Sequence, residues 1–166
     1  KSGSRKVFRE AGIELPFGFE DLGDSCQVAA ALAELKRAKP GVRRAVVKLN
    51  EGFSGEGNAV IDFAGAPEDA SLLSWLRDRL PTMAFEAKGM TWALYEDRLR
   101  SMGGIVEEFI PGAVKRSPSV QLRIDPVGRL EAVSTHDQVL GGPNGQIFLG
   151  CRFPADRDYR LDIQAR

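Results

Sequence analysis

A lysine at the end of an apolar stretch, followed by a glycine-rich segment, is the strongest chemical signal in the sequence. Lys48 follows Ala45-Val46-Val47, and residues 49–57 read Leu-Asn-Glu-Gly-Phe-Ser-Gly-Glu-Gly. A polyphosphate is held by fixed cations and by backbone N–H groups, which glycines let approach because they carry no Cβ. The segment is not a Walker A motif, since the lysine precedes the glycines. The pattern is also, and more often, that of a flexible hairpin beside a partly exposed lysine.

A second signal is the segment Val106-Glu107-Glu108-Phe109-Ile110-Pro111-Gly112. An adenine ring is recognised by a backbone C=O for its amino group and by a backbone N–H two residues later for a ring nitrogen. An extended segment that ends sharply at a proline can present this pair of groups. Taken alone, the same residues also fit an edge strand blunted by charge and by proline.

Cysteine and histidine are too scarce to form a metal cluster of those residues. Cys26, Cys151 and His136 are the only such side chains, so neither a paired CxxC motif nor a zinc site can be drawn. We expect both thiols to be free and buried, as in a cytoplasmic protein, and His136 to be structural. Basic and acidic residues number 23 each, so no charge excess indicates nucleic acid or an anionic membrane. No apolar run approaches the ~20 residues of a membrane-spanning helix.

Helical patterns occupy much of the first two thirds of the chain. Asp24 and Gln27 form a capping box, and apolar residues at helical spacing follow as far as Pro40-Gly41, which ends the helix. Further helices are predicted over Lys1–Ala11, after Pro67 and from about Thr91 to Met102.

Strands are predicted on both sides of the glycine-rich segment and in the last third of the chain. Residues 45–49 and 58–63 read as hairpin partners. Val120, Leu122 and Ile124 alternate with polar residues, which predicts an antiparallel sheet with one buried face. Other strands are predicted over 105–110, 130–140 and 146–153, and a helix is predicted to begin near Asp156.

The order of the two signals resembles the ATP-grasp superfamily, which has an α+β fold. In that family two small subdomains, with antiparallel sheets and flanking helices, close on ATP. A strand lysine and a glycine-rich loop cover the phosphates, and a hinge of the form Glu-Glu/Lys-aromatic-aliphatic holds adenine. The likeness extends to Lys1, which opens a helix ending Ala11-Gly12-Ile13, as in the D-alanine:D-alanine ligases. It implies a lid subdomain over residues 1–106, and a hinge with the first part of the second subdomain over 107–166.

The resemblance implies roles for individual residues. Lys1 and Lys48 would bind the α- and β-phosphates of ATP. The phosphate lid would consist of Ser54, Gly55, Glu56 and Gly57.

The same resemblance assigns the adenine contacts to the second signal. Glu107 would accept from the adenine amino group, and the Glu108 carbonyl and Ile110 N–H would form the backbone pair. Phe109 would pack beside the ring.

The resemblance also indicates a position for the ribose contact. Ser119 stands where relatives often place a ribose-contacting Glu or His, and Gln121 or Gln138 could substitute for it.

The implied activity is that of an ATP-dependent ligase that joins a small-molecule carboxylate to an amine through an acyl phosphate, with ATP and Mg²⁺ as cofactors. We expect the metal ligands, with the acid-x-Asn motif by which ATP-grasp enzymes hold Mg²⁺, downstream of Arg166, and the chain alone to be inactive. Two alternatives stay open, an ATP-grasp phosphotransferase and a non-catalytic nucleotide-binding homologue. A narrower similarity to pheganomycin-type peptide ligases rests on residues 135–138 and 144–151.

Overall fold

The computed structural model describes residues 1–165, which form two compact units. The first runs from Lys1 to Pro111, and the second begins at Gly112. This division falls after the boundary expected between residues 106 and 107, because the strand that contains Glu107 is paired within the first unit. Each unit has its own antiparallel sheet.

The sheet of the first unit carries both signals found in the sequence. Its strands are β1 Gly18–Leu22, β2 Arg44–Leu49, β3 Asn58–Asp62, β4 Ala84–Phe85 and β5 Gly104–Glu108. They lie in the order β1-β5-β2-β3-β4, and every neighbouring pair is antiparallel. The predicted hairpin is confirmed, with Lys48 opposite Asn58, and β5 pairs with the other edge of β2.

Two helices of the first unit, α2 Ser25–Ala38 and α4 Trp92–Met102, begin where the capping signals predict. The side chain of Asp24 accepts from the Gln27 N–H at 2.8 Å, which confirms the capping box. Thr91 caps the last helix in the same way, through the Leu94 N–H. The helix expected after Pro67 begins later, at Leu72. The helices are α1 Ser2–Glu10, α2 Ser25–Ala38, α3 Leu72–Arg79 and α4 Trp92–Met102.

One face of this sheet is covered by α2, α3 and α4. Leu32, Leu76 and Leu99 are almost fully buried, and they pack in one cluster with Val47 of β2. Burial of each such side chain stabilises the fold by roughly 1.5–3 kcal/mol. On the opposite face only a small apolar group is buried, formed by Val46, Val60 and Phe109. The large core therefore fixes the strands, and the second face carries the polar residues of the candidate site.

The second unit is a three-stranded antiparallel sheet with a short helix. Its strands, in sheet order, are β6 Pro118–Ile124, β7 Leu130–Gly141 and β8 Ile147–Arg152, and α5 spans Arg160–Ala165. The prediction that the alternating pattern marks a buried face is wrong here, because Leu122 and Ile124 are 56% and 71% exposed. The described residues place no second layer over that end of the sheet.

Both cysteines are free but exposed, which corrects the prediction that they are buried. Cys26 lies in the first turn of α2, on the side away from the core, and Cys151 lies in β8 of the sparsely covered sheet. Within residues 1–165, no helix is both long and apolar enough to cross a bilayer.

Candidate functional site

Three charged side chains from three elements meet on the second face of the five-stranded sheet. Lys48 Nζ lies 2.6 Å from one oxygen of Glu107, and Arg5 Nη1 lies 2.5 Å from the other. Glu107 is opposite Val46 in the ladder, so its side chain projects on the same face as that of Lys48. Arg5 and Glu107 are buried, whereas the Lys48 side chain remains a quarter exposed. Each Glu107 oxygen therefore has its own cation.

Arg5 is held by further acceptors. Its Nε donates to Glu20 at 3.0 Å, and its Nη1 also donates to the Pro16 carbonyl at 3.1 Å. The other Glu20 oxygen binds Arg9 at 2.5 Å. Burial opposes ionisation of Glu20, yet hydrogen bonds from Arg9 and Arg5 outweigh it and hold the Glu20 pKa below its usual range. Five charges of alternating sign thus connect the exposed side of α1 to Lys48.

Lys1 lies at the base of the glycine-rich loop. Its Nζ donates to the Gly52 carbonyl at 3.0 Å. Burial and the nearby charge of Lys48 lower the Lys1 pKa, and Glu107 only partly opposes them. Two mutually repelling cations on one surface favour an anion between them.

Asn50 attaches the start of α1 to this loop. Its Oδ1 accepts from both the backbone N–H and the hydroxyl of Ser2, each at 2.9 Å, and its Nδ2 donates to the Met102 carbonyl at 3.0 Å. One side chain therefore connects α1, the loop and the end of α4.

The loop between β2 and β3 has a narrow neck. Leu49 N–H donates to the Gly57 carbonyl at 2.9 Å, and a Cβ added to Gly57 would lie 2.8 Å from the Gly52 Cα. Only glycine fits on either side of this contact. Beyond the neck, Ser54 and Gly55 have φ of 53° and 91° and turn the chain back. The loop residues are thus held at the neck and extend into solvent, where Phe53 is 84% exposed.

A buried tyrosine supports the neck from the core side. The Tyr95 hydroxyl donates to the carbonyls of Val47 and Gly57, at 3.0 and 3.2 Å. Burial raises the Tyr95 pKa, so the hydroxyl stays protonated and remains a donor.

The hinge segment after Glu107 is fixed through its side chains. The Glu108 carboxylate binds Lys39 Nζ at 2.8 Å and accepts from the Phe17 N–H at 2.9 Å. The hydrogen bond from Lys39 lowers the Glu108 pKa, against the effect of burial. Phe109 is buried, with the Arg44 guanidinium 4.1 Å from its ring centre, and Ile110 is 61% exposed. The side chains of Glu108 and Phe109 therefore attach the hinge segment to neighbouring parts of the first unit.

The structure brings together most of the residues expected at a nucleotide site. Lys1, Lys48, Glu107 and the loop with Ser54, Gly55, Glu56 and Gly57 all belong to one region of the first unit. Ser119 lies in β6 of the second unit, opposite His136 of β7. Gln121 and Gln138 lie in β6 and β7.

Four polar residues of this region were missed at the sequence level. Arg5 is four positions after Lys1, a helical spacing that could have placed both on one face, and Asn50 lies inside the glycine-rich segment. No pattern in the sequence indicated Asn58 or Glu86 as residues of the site. Glu86 is 3% exposed, and neither its carboxylate oxygens nor Asn58 Oδ1 has a hydrogen-bond partner among the described residues. The second face therefore also holds acceptors that lack donors.

Comparison with known proteins decides the family. The family model for the ATP-grasp domain of IQCH-like proteins matches residues 1–79. L-propargylglycine–L-glutamate ligase from Streptantibioticus cattleyicolor is 34% identical over 167 residues, which cover 98% of this chain and 32% of the ligase. The chain belongs to the ATP-grasp superfamily. A second relative, IQ motif-containing protein H from Danio rerio, is 25% identical over 182 residues, covering 93% of this chain and 17% of that protein.

The ATP-grasp fold predicted from the sequence is confirmed by a solved structure. The ADP complex of PurK, N5-carboxyaminoimidazole ribonucleotide synthetase, superposes with a TM-score of 0.58 at 15% identity. The match covers 98% of this chain and 34% of that one. At such low identity the likeness concerns the fold alone. The ATP-grasp chain spans a third or less of the length of the curated relatives that it matches.

Proposed function

We propose that this ATP-grasp chain is the ATP-binding part of an ATP-dependent ligase that joins a small-molecule carboxylate to an amine. The observation that carries the proposal is the Lys48–Glu107 pair, which lies beside Lys1 and the glycine-rich loop on one face of the sheet. The similarity to a ligase that joins two amino acids supports this choice among ATP-grasp activities.

The second face of the sheet suits a nucleotide in its charge, because two lysines lie near Glu107. Val46, Val60 and Phe109 form a small buried apolar group within this face, and Glu107 lies at its border. In the proposal Glu107 accepts from the adenine amino group, while the Glu108 carbonyl and the Ile110 N–H take the backbone contacts and Phe109 packs beside the ring.

The phosphates lie at the other end of β2 in this proposal. Lys48 and Lys1 neutralise the α- and β-phosphates, and Ser54, Gly55, Glu56 and Gly57 cover them. The narrow neck supports this role, because it keeps the loop base free of any Cβ. For the ribose contact, Ser119, or Gln121 or Gln138 in its place, stays a prediction from the sequence.

The reaction consists of two transfers. A carboxylate oxygen attacks the γ-phosphorus, the bond to the β-phosphate oxygen breaks, and an acyl phosphate and ADP form. The amine nitrogen then attacks the acyl carbon and loses a proton, and the C–O bond to phosphate breaks, giving an amide and inorganic phosphate. The residues of this chain contribute by position and by charge, and no side chain forms a covalent bond.

Mg²⁺, which supplies charge neutralisation in phosphoryl transfer, has no fitting site in the described residues. They contain no group of three His, Cys, Asp or Glu side chains that could hold a metal ion. We therefore derive no step through the metal from this chain.

The proposal is tested by nucleotide titration of the full-length protein. Lys48→Ala removes one phosphate contact but leaves Glu107 paired with Arg5, so the fold is retained. Loss of a charge-assisted contact weakens ATP binding roughly tenfold to a hundredfold. Lys88→Ala, which removes an exposed lysine elsewhere in the first unit, serves as the control and leaves the Kd unchanged. Equal ATP affinity in wild type and Lys48→Ala would contradict the proposal.

Product analysis tests the reaction class. A ligase forms a new amide together with ADP and inorganic phosphate. A phosphotransferase instead leaves the phosphate on its product, and a non-catalytic homologue binds ATP without turnover. Either of these results would replace the ligase assignment while keeping the nucleotide site.

A further inference from the structure

In the proposed adenine contact the Glu107 side chain has to be held in place, and Lys48 cannot hold it there. To accept from an adenine amino group, the Glu107 carboxylate has to point in one direction. Lys48 now holds one of its oxygens, but the same ammonium is needed at the phosphates in the proposed function. A lysine is a mobile point charge, and this one is a quarter exposed. Another group has to fix Glu107 when nucleotide is bound.

We infer that Arg5 is the positioning residue that holds Glu107 for recognition of the adenine 6-amino group, and that Arg5 thereby sets the preference of the site for adenine nucleotides. The inference rests on the proposed function of Glu107. Arg5 itself does not touch the nucleotide in this arrangement; it acts through the carboxylate.

The contacts of Arg5 suit this role. Its planar guanidinium is buried and donates at once to Glu20, to the Pro16 carbonyl and to Glu107. Because three acceptors from different segments fix it, its direction does not depend on Lys48.

The Glu107 carboxylate also has the capacity for further donors. Each carboxylate oxygen can accept two hydrogen bonds. Oε1 takes one from Arg5, and Oε2 takes one from Lys48. When Lys48 turns to the phosphates, Oε2 becomes available to the amino group while Oε1 is still anchored by Arg5.

The test compares two nucleotides that differ only in the group that Glu107 would read. Purine riboside triphosphate lacks the 6-amino group of ATP but keeps the ring nitrogen for the Ile110 N–H. We expect the full-length wild type to bind ATP roughly tenfold to a hundredfold more tightly than this analogue, as measured by calorimetry. Arg5→Met is expected to reduce that ratio to less than threefold, mainly by weakening ATP.

A matched control lies one turn further along α1. Arg9→Met removes the other cation of Glu20 but makes no contact with Glu107, and it should leave the ratio as in wild type. In Arg5→Met each carboxylate keeps one cation, Glu20 with Arg9 and Glu107 with Lys48, so the protein is expected to fold. If it does not, Arg5→Lys is measured instead, and a reduced ratio is expected because one ammonium cannot reproduce the forked contacts.

The outcomes separate the inference from the function on which it rests. A ratio that stays at the wild-type value in the Arg5 variants overturns the inference, even if both nucleotides bind less tightly, because Arg5 then serves the fold alone. A wild-type ratio near one also overturns it, since Glu107 would not read the amino group. Absence of measurable ATP binding to wild type instead contradicts the proposed function.

Discussion

Replacement of Gly57 by alanine tests the reasoning about the loop neck. The added Cβ would lie 2.8 Å from the Gly52 Cα and 3.2 Å from the Leu49 Cβ. Carbon atoms in favourable contact are about 3.5–4.0 Å apart, so the two sides of the neck have to separate by about 1 Å. The same movement stretches the hydrogen bond from Leu49 N–H to the Gly57 carbonyl, which is now 2.9 Å long.

The expected cost follows from these contacts. Overpacking of a close-packed site costs typically 1–3 kcal/mol, and the atoms that meet here are backbone atoms that cannot rotate away. We therefore expect Gly57→Ala to lower the free energy of unfolding by about 2 kcal/mol. The loop base also shifts away from Lys48, so ATP affinity falls as well.

The change in unfolding free energy is measured by urea denaturation, with tryptophan fluorescence as the signal. Both tryptophans, Trp75 and Trp92, lie in the first unit. Gly41→Ala is the matched control, since no atom lies within 4 Å of its added Cβ and its φ is outside the positive range. That variant should be neutral or up to about 1 kcal/mol more stable. If Gly57→Ala behaves like Gly41→Ala, the neck is not closed as described and the reasoning fails.

Three further predictions concern single groups. Tyr95→Phe should lower the free energy of unfolding by about 1 kcal/mol in urea denaturation, because a buried donor is lost; an unchanged value would refute the support of the loop. Glu86→Gln should raise that free energy by about 1 kcal/mol, since a carboxylate costs more to bury without donors than an amide does; a decrease would show that Glu86 has a partner beyond the described residues. The pKa of Glu108 is lowered in the folded protein, so its carboxylate stabilises the fold above its ordinary pKa of 4.5, and this stabilisation is lost as the pH falls through the lower folded pKa. Lys39→Met should therefore reduce the difference in unfolding free energy between pH 7 and pH 3. An equal pH dependence in wild type and Lys39→Met would exclude that contribution.

Local signals predicted the elements that depend on local physics. The Asp24 capping box and the apolar spacing behind it gave α2, and the apolar run before Lys48 gave β2, since caps and periodicity act within a few residues. β4 has only two residues and its place is set by pairing with β3, so no periodicity could reveal it. β1 was likewise missed, because its pairing partner β5 is distant in sequence.

The sequence allowed several residues of the candidate site to be predicted, but not the contacts between them. Lys48 and Glu107 each stood out by type and by neighbours, yet nothing in the sequence shows that they form a pair. Their contact depends on the β2–β5 register, which brings residues 59 positions apart together. The contacts of Arg5 could not be predicted for the same reason, since its partners lie in β1 and β5. The exposed Leu122 illustrates a second limit of the sequence. Alternation indicates an amphipathic strand, but it does not indicate which element covers the apolar face.

The neck of the glycine-rich loop also bears on how the sequence can change during evolution. Residues 53–56 lie beyond the Leu49–Gly57 hydrogen bond, so an insertion there lengthens the loop without shifting Lys48 against Asn58. Doubling the length of a flexible loop costs only about 0.6 kcal/mol in closure entropy. A longer or shorter loop would therefore leave Lys48 in place, whereas replacement of Gly52, Gly57 or Tyr95 would disturb the base on which every such loop depends.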